Sequence, residues 1–163
     1  MIHRDTGWWD RPPSRTVLAM TPTSTSPPSS GPAVLRRINP TTWSAPFGYD
    51  QGQLRTGASA ILTIAGQGSV DAAGRLLHHG DPAAQLALTL ANVEGVLSAA
   101  GMAFADLAQV RVYVTDMAAA LDVYDLVVEH LRAAGATPPT TLVEVSRLAI
   151  PGMTVEIDAI AIR

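Results

Sequence analysis

Residues 110–117 read VRVYVTDM, in which a strand pattern runs directly into a helix start. Three valines alternate with other side chains, which is the period of a strand that buries one face. Asp116 then offers a side-chain oxygen of the kind that caps the first turn of a helix. The apolar residues after it recur at helical spacing until Gly135, namely Met117, Leu121, Tyr124, Val128 and Leu131. The stretch predicts a strand followed by one helix.

Further elements are predicted on both sides of this stretch. Strand patterns cover residues 34–38, 53–56 and 60–65, and a helix follows that begins after the capping Asp81 and ends at Gly101. Alternating valines predict two last strands, through residues 143–146 and 155–158. This order suits an α+β fold in which a mixed six-stranded sheet carries two helices on one face. The other sheet face then tolerates water or packs against copies of the chain.

Composition limits the class of protein. A chain of 163 residues forms one domain by default. Charged residues make up 15% of the chain, below the roughly 25% of an ordinary soluble domain, which favours self-association. The formal charge of −3 comes without a block of like sign, so we expect no nucleic-acid partner. Because the chain has no cysteine and no metal-binding histidine motif, we expect no metal and no cofactor.

The first 33 residues differ from the rest of the chain. Their prolines alternate with serine and threonine, a composition that buries too little apolar surface to fold. We therefore expect a disordered leader at 1–33 and one folded domain at 34–163. The sequence contains no apolar run long enough to cross a bilayer and no apolar core of a secretory signal, so we expect a cytoplasmic protein with no membrane partner.

Several short motifs in the folded part are similar to those of one known family. They are APFGYDQG at 45–52, IAGQ at 64–67, VYVTDM at 112–117, VEV at 143–145 and VEIDAIA at 155–161. On these motifs the chain resembles the Rid family, also called YjgF/YER057c/UK114, whose best understood members are enamine/imine deaminases. The resemblance implies a chorismate-mutase-like fold and a homotrimeric barrel, with a cleft for a small-molecule substrate at each subunit interface.

The resemblance also implies which residues form the site. Glu156 is expected to position a water molecule and to act as general acid or base, and Tyr49 to line the cleft and orient the substrate. The main-chain groups of Gly66 and Leu142 are expected to hold a substrate atom. The full set of substrate-binding positions is Ala65, Gly66, Gln67, Tyr124, Thr140, Thr141 and Leu142.

Three positions depart from the pattern of the deaminases. Thr140 stands where the family has an arginine that clamps the substrate carboxylate, Ala65 replaces a serine, and Tyr124 replaces an asparagine. One neutral hydrogen bond in place of two charged ones weakens the binding of a small 2-imino acid by roughly 1.5–3 kcal/mol. We therefore expect a larger, more apolar imine or enamine, and hydrolytic deamination, tautomerisation, elimination or cyclisation as the reaction.

Structural roles compete with each of these assignments. Tyr49 also fits a ring that closes a turn on the core, and Tyr124 fits the apolar stripe of its helix. Glu156 fits an ion pair with Arg111 or Arg147 equally well. For the whole chain, the alternative to an enzyme is a non-catalytic protein that binds a metabolite in the same cleft.

Overall fold

The computed structural model describes residues 34–163, so the predicted leader at 1–33 lies outside the described residues. Within the described range the chain forms six strands and three α-helices. In chain order they are β1 (Val34–Ile38), β2 (Gly52–Thr56), β3 (Ile61–Gly68), α1 (Pro82–Ala99), β4 (Leu107–Val114), α2 (Met117–Asp122), α3 (Asp125–Ala133), β5 (Thr140–Glu144) and β6 (Val155–Ile162).

The strands form two sheets instead of one. Strands β3, β6, β4 and β5 form a four-stranded sheet in that order, in which β4 and β5 are parallel and the other pairs antiparallel. Among residues 34–163, strands β1 and β2 pair only with each other. The predicted α+β fold with a mixed sheet is confirmed, but a single six-stranded sheet is wrong. The hairpin is joined to the larger sheet by the Arg55 guanidinium, which donates to the carbonyls of Ile162 at 2.9 Å and Leu107 at 2.6 Å.

The helix predicted after Asp116 is broken into two, so three helices replace the predicted two. The break falls at Val123 and Tyr124, between α2 and α3. There the backbone bonds run to the third residue back: the N–H of Val123 donates to Ala120 and that of Tyr124 to Leu121. Such bonds tighten the turn and redirect the helix axis. Because the apolar spacing continues across the break, the sequence pattern did not reveal it.

The two faces of the four-stranded sheet differ. Along β6, Val155, Ile157, Ala159 and Ala161 are buried against the helices, and along β4 so are Val110, Val112 and Val114. We call this side the helix face. Since side chains alternate across a strand, Arg111 and Tyr113 on β4 and Glu156 and Asp158 on β6 lie on the opposite side, the open face. Both Glu156 and Asp158 remain partly exposed there.

A buried glutamine of α1 holds the loops at one end of the sheet. The Nε2 atom of Gln85 donates to the carbonyls of His78 at 3.2 Å and Gly152 at 3.0 Å. Its Oε1 atom accepts from both the backbone N–H and the hydroxyl of Thr154, at 2.8 and 3.0 Å. The side chain, fully enclosed, therefore fixes the start of β6 relative to α1.

Candidate active site

Glu156 lies on the open face against a glycine. In the sheet register it is opposite Gly68 on one side and Tyr113 on the other. Its carboxylate lies over Gly66, and a Cβ atom at that glycine would overlap it. Within residues 34–163, no side chain forms an ion pair with Glu156. The missing side chain of Gly66 thus leaves room for a carboxylate that the described residues do not neutralise.

The open face also carries a hydrogen-bonded polar group that the sequence analysis did not predict. The Arg111 Nε atom donates to one oxygen of Asp158 at 2.8 Å, and the Tyr113 hydroxyl donates to the other at 3.0 Å. The hydrogen bond to Asp158 raises the pKa of Tyr113 and also that of Arg111. The idea that Arg111 pairs with Glu156 is therefore wrong, because its partner is Asp158. Strand alternation alone indicated that these side chains share a face with Glu156.

The helix face contains an apolar cavity beside two of the predicted residues. It has a volume of about 250 Å³ and lies between α2, the first turn of α3 and the sheet. Tyr124 and Leu142 line it, together with Val112, Val114 and Val155. Thr140, on the same side of β5, donates its hydroxyl to the carbonyl of Pro138 at 2.9 Å. This local bond engages the hydroxyl of the residue that we predicted to stand in for the arginine of the deaminases.

Tyr49 belongs to a partly exposed aromatic cluster. Its ring centroid lies 5.9 Å from that of Trp43 and 6.5 Å from that of Phe47. Trp43 and Phe47 are 59% and 47% exposed. Burial raises the pKa of Tyr124, and the nearby Tyr49 phenol raises it further. The turn that carries the cluster lies against α3, because a Cβ atom at Gly48 would be 3.2 Å from Val128. Neither Trp43 nor Phe47 was singled out from the sequence, although both lie in or next to the 45–52 motif.

A buried carboxylate holds the turn that carries this cluster. Asp50 accepts hydrogen bonds from Asn39 at 2.7 Å, Gln53 at 2.9 Å and the Thr137 hydroxyl at 2.6 Å. Arg37 lies 3.7 Å from it. Burial by itself would raise the pKa of Asp50, but these hydrogen bonds and the Arg37 charge outweigh burial and lower it. The turn is thereby tied to the segment between α3 and β5.

This architecture is similar to that of known proteins. The fold is similar to the crystal structure of YyfB from Yersinia pestis, a member of the conserved Rid protein family: the TM-score is 0.70 at 33% sequence identity, over 79% of this chain and 98% of that one. The sequence also matches the family described as Endoribonuclease L-PSP over residues 44–163.

The chain belongs to the Rid family. Protein DfrA of Myxococcus xanthus is 31% identical to it over 115 residues, which are 70% of this chain and 84% of that protein. The crystal structure of Escherichia coli TdcF with bound serine superposes with a TM-score of 0.57 at 29% identity, over 71% of this chain and 87% of that one.

In this Rid chain the predicted site residues fall into separate groups. Ala65, Gly66 and Gln67 lie where the β3 register shifts opposite β6, and Gly66 contacts Glu156. By alternation along β5, Thr141 lies on the open face, whereas Thr140 and Leu142 lie on the helix face. Tyr49 follows Gly48, which packs against Val128 of α3, and Tyr124 lines the cavity, so both belong to the helix side. Within one subunit the sheet thus separates Glu156 from the residues that line the cavity.

No helix among residues 34–163 of this Rid protein is long and apolar enough to cross a membrane. In the same range, no group of three or more histidine, aspartate or glutamate side chains converges as metal ligands do. The cytoplasmic location remains a prediction.

Proposed function

We propose that this Rid protein is a small-molecule enzyme that acts on an imine, an enamine or a related reactive intermediate. The observation that carries the proposal is the Glu156 carboxylate, which lies over Gly66 on the open face and has no ion-pair partner among residues 34–163. A carboxylate in this setting is suited to accept and return a proton. The chain's formal charge of −3 offers no general attraction for RNA, so we do not propose RNA cleavage.

We place the complete site between subunits. Glu156 and the pair Tyr49 and Tyr124 lie on opposite sides of one sheet, so a small molecule cannot contact both within a single chain. In the homotrimeric barrel that the resemblance implies, a neighbouring copy supplies the missing group at the subunit interface. Rid proteins are commonly homotrimers, and the charged content of only 15% also supports burial of surface in an assembly.

Hydrolytic deamination is the reaction that this arrangement supports best. Glu156 accepts a proton from a water molecule as the water oxygen bonds to the imine carbon, the C=N π pair moves to nitrogen, and nitrogen takes up that proton. The carboxylate then removes the proton of the new hydroxyl and returns it to nitrogen as the C–N bond breaks. The products are a carbonyl compound and ammonia. Tautomerisation needs only that the same carboxylate move a proton between two atoms of the substrate. Tyr49 orients the substrate in either reaction.

The substrate is more apolar than a simple 2-imino acid. The bound serine of TdcF carries a carboxylate, whereas the position of the family's carboxylate-binding arginine is Thr140 here, with its hydroxyl bonded to Pro138. The nearest space on the helix side is lined mainly by aliphatic side chains. A charged carboxylate buried there without a partner would cost several kcal/mol, on the order of 3–5.

The test measures ammonia release from a panel of chemically generated imines that range from 2-iminopropanoate to apolar aryl imines. Glu156→Gln is expected to reduce turnover roughly 100-fold or more, the usual contribution of a general base. Glu94→Gln, on the exposed surface of α1, is the matched control and should keep full activity. Tight binding of panel members with no turnover would favour the non-catalytic metabolite-binding protein instead.

A restoration experiment tests the role assigned to position 140. Thr140→Arg is expected to create turnover of 2-iminopropanoate if only the carboxylate clamp was lost. Sedimentation of the same samples tests the assembly, and a protein that stays monomeric at working concentration would contradict the intersubunit site.

A further inference from the structure

The cavity on the helix face results from the shape of α2. This helix is short, and the residues that it directs toward the sheet are Ala119 and Ala120. Their side chains are too small to reach the strands. The break at Val123 and Tyr124 then redirects the chain, so that both of these residues line the same space. The floor is made of Val112, Val114 and Val155. A gap remains that no side chain of the described residues fills.

The size of the gap fits a ring. Its volume is about 250 Å³, whereas an apolar cavity of about 150 Å³ is known to stay dry and to bind benzene. An interior normally packs without such voids. The space therefore accommodates a group larger than benzene, such as an indole or a substituted phenyl ring.

The polar groups at the cavity select against an anionic ligand. Asp116 caps α2 by accepting from the Ala119 N–H at 3.0 Å, and the Thr154 hydroxyl donates to Gln85 at 3.0 Å. The Thr154 hydroxyl is thus engaged by the protein, the Asp116 carboxylate repels an anion, and no lysine or arginine of residues 34–163 lines the cavity to neutralise one. The Tyr124 hydroxyl forms no hydrogen bond within residues 34–163, and it is not among the fully enclosed polar atoms of that range that lack a partner. Because Tyr124 lines the cavity, its hydroxyl is an uncharged polar group that is free to bond a ligand.

We propose that this cavity binds an uncharged aromatic group about the size of indole, with the Tyr124 hydroxyl supplying its one hydrogen bond. As an assignment of the substrate's side chain, the proposal rests on the proposed function. As a binding site, it stands alone, because one chain forms the cavity and Glu156 does not line it. Burial of an aromatic ring against aliphatic side chains provides the affinity.

The test titrates the protein with indole and follows binding by calorimetry and by the methyl resonances of the valines. Saturable binding is expected for the native chain, with contacts to the methyl groups of Val112 and Val114. Ala120→Leu fills the space and should weaken binding roughly tenfold or more, about 1.4 kcal/mol. Ala118→Leu, on the exposed side of the same helix, is the matched control and should bind as the native chain does.

Two further titrations distinguish failure of the cavity site from failure of the proposed function. Indole-3-acetate should bind roughly tenfold more weakly than indole or worse; equal affinity would overturn the uncharged-ligand assignment. Glu156→Gln should bind indole with unchanged affinity even if it abolishes turnover. Saturable indole binding without turnover of any imine would contradict the proposed function and leave the cavity site intact. Absence of saturable binding, or of contacts to the two valines in the native chain, would overturn the cavity site even if Ala120→Leu fails to fold.

Discussion

The two faces of the four-stranded sheet are built by the same strands and serve different ends. On β6, the inward residues from Val155 to Ala161 are buried among the helices, whereas Glu156 and Asp158 between them carry charges that remain partly exposed. The helix face supplies most of the buried apolar area and therefore most of the folding free energy. The open face carries polar and titratable groups, among them Glu156, to which we assign the proton transfer. Alternation along one strand thus lets the protein vary reactivity without disturbing its core.

The largest difference in stability is expected between two isoleucine truncations on β6, one on each face of the sheet. Ile157 is 1% exposed on the helix face, and Ile157→Ala should lower the free energy of unfolding by about 2–5 kcal/mol. Ile160→Ala, three residues along the same strand and partly exposed, should cost the isolated subunit much less. Urea unfolding measures both. Equal losses at a concentration where the protein is monomeric would contradict the difference between the faces.

A smaller effect is expected at the turn that holds the aromatic cluster on the helix side. Asp50→Asn weakens a site that accepts three hydrogen bonds, and we expect a loss of about 1–3 kcal/mol at neutral pH. Because the folded-state pKa of Asp50 is lowered, its stabilisation is full above the unfolded value of about 3.9 and disappears as the pH falls through the folded value. The native and variant stabilities should therefore converge in acid. A gap that stays constant from pH 7 to acid would show that the charge of Asp50 contributes nothing.

The smallest expected effect is a change in the pKa of one of two tyrosines, Tyr113 and Tyr124, whose pKa values are both raised. On the open face the pKa of Tyr113 is raised first by its hydrogen bond to Asp158, whereas burial raises that of Tyr124. Asp158→Asn should bring the pKa of Tyr113 back toward the ordinary value of about 10 and leave Tyr124 unchanged. Ultraviolet titration of tyrosinate measures both, with Tyr113→Phe and Tyr124→Phe to assign the signals. A shift of Tyr124 in Asp158→Asn would mean that the two faces are electrostatically coupled.

The sequence predicted the elements better than their arrangement. The strand before Asp116 and the helix capped by Asp81 follow from local chemistry, and both are confirmed, with the Asp81 side chain accepting from Ala84 at 3.0 Å. The separate β1–β2 hairpin was missed because strand patterns do not state which edges pair. The break at Val123 was missed because helical periodicity tolerates a turn of three-residue hydrogen bonds.

The sequence predicted which residues belong to the candidate site, but it did not predict how they are arranged in space. Motifs pointed to Glu156, Gly66 and Thr140, but their division between two sheet faces depends on register. The Arg111–Asp158 pair joins residues 47 positions apart, which no local pattern can reveal. The cavity arises because Ala119 and Ala120 have small side chains. The spacing of apolar residues in the sequence does not show whether their side chains fill the space between a helix and a sheet.

Gln85 shows how a remote residue can govern the placement of Glu156. Its amide both donates two hydrogen bonds and accepts two, a combination that a carboxylate, a hydroxyl or an aliphatic side chain cannot reproduce. A glutamate at this position would meet two carbonyl oxygens with its own negative charge, and a leucine would strand four backbone and side-chain partners. Any natural or engineered variant that changes this residue must therefore redesign two loops together, β3–α1 and β5–β6, before the start of β6 can recover its present position.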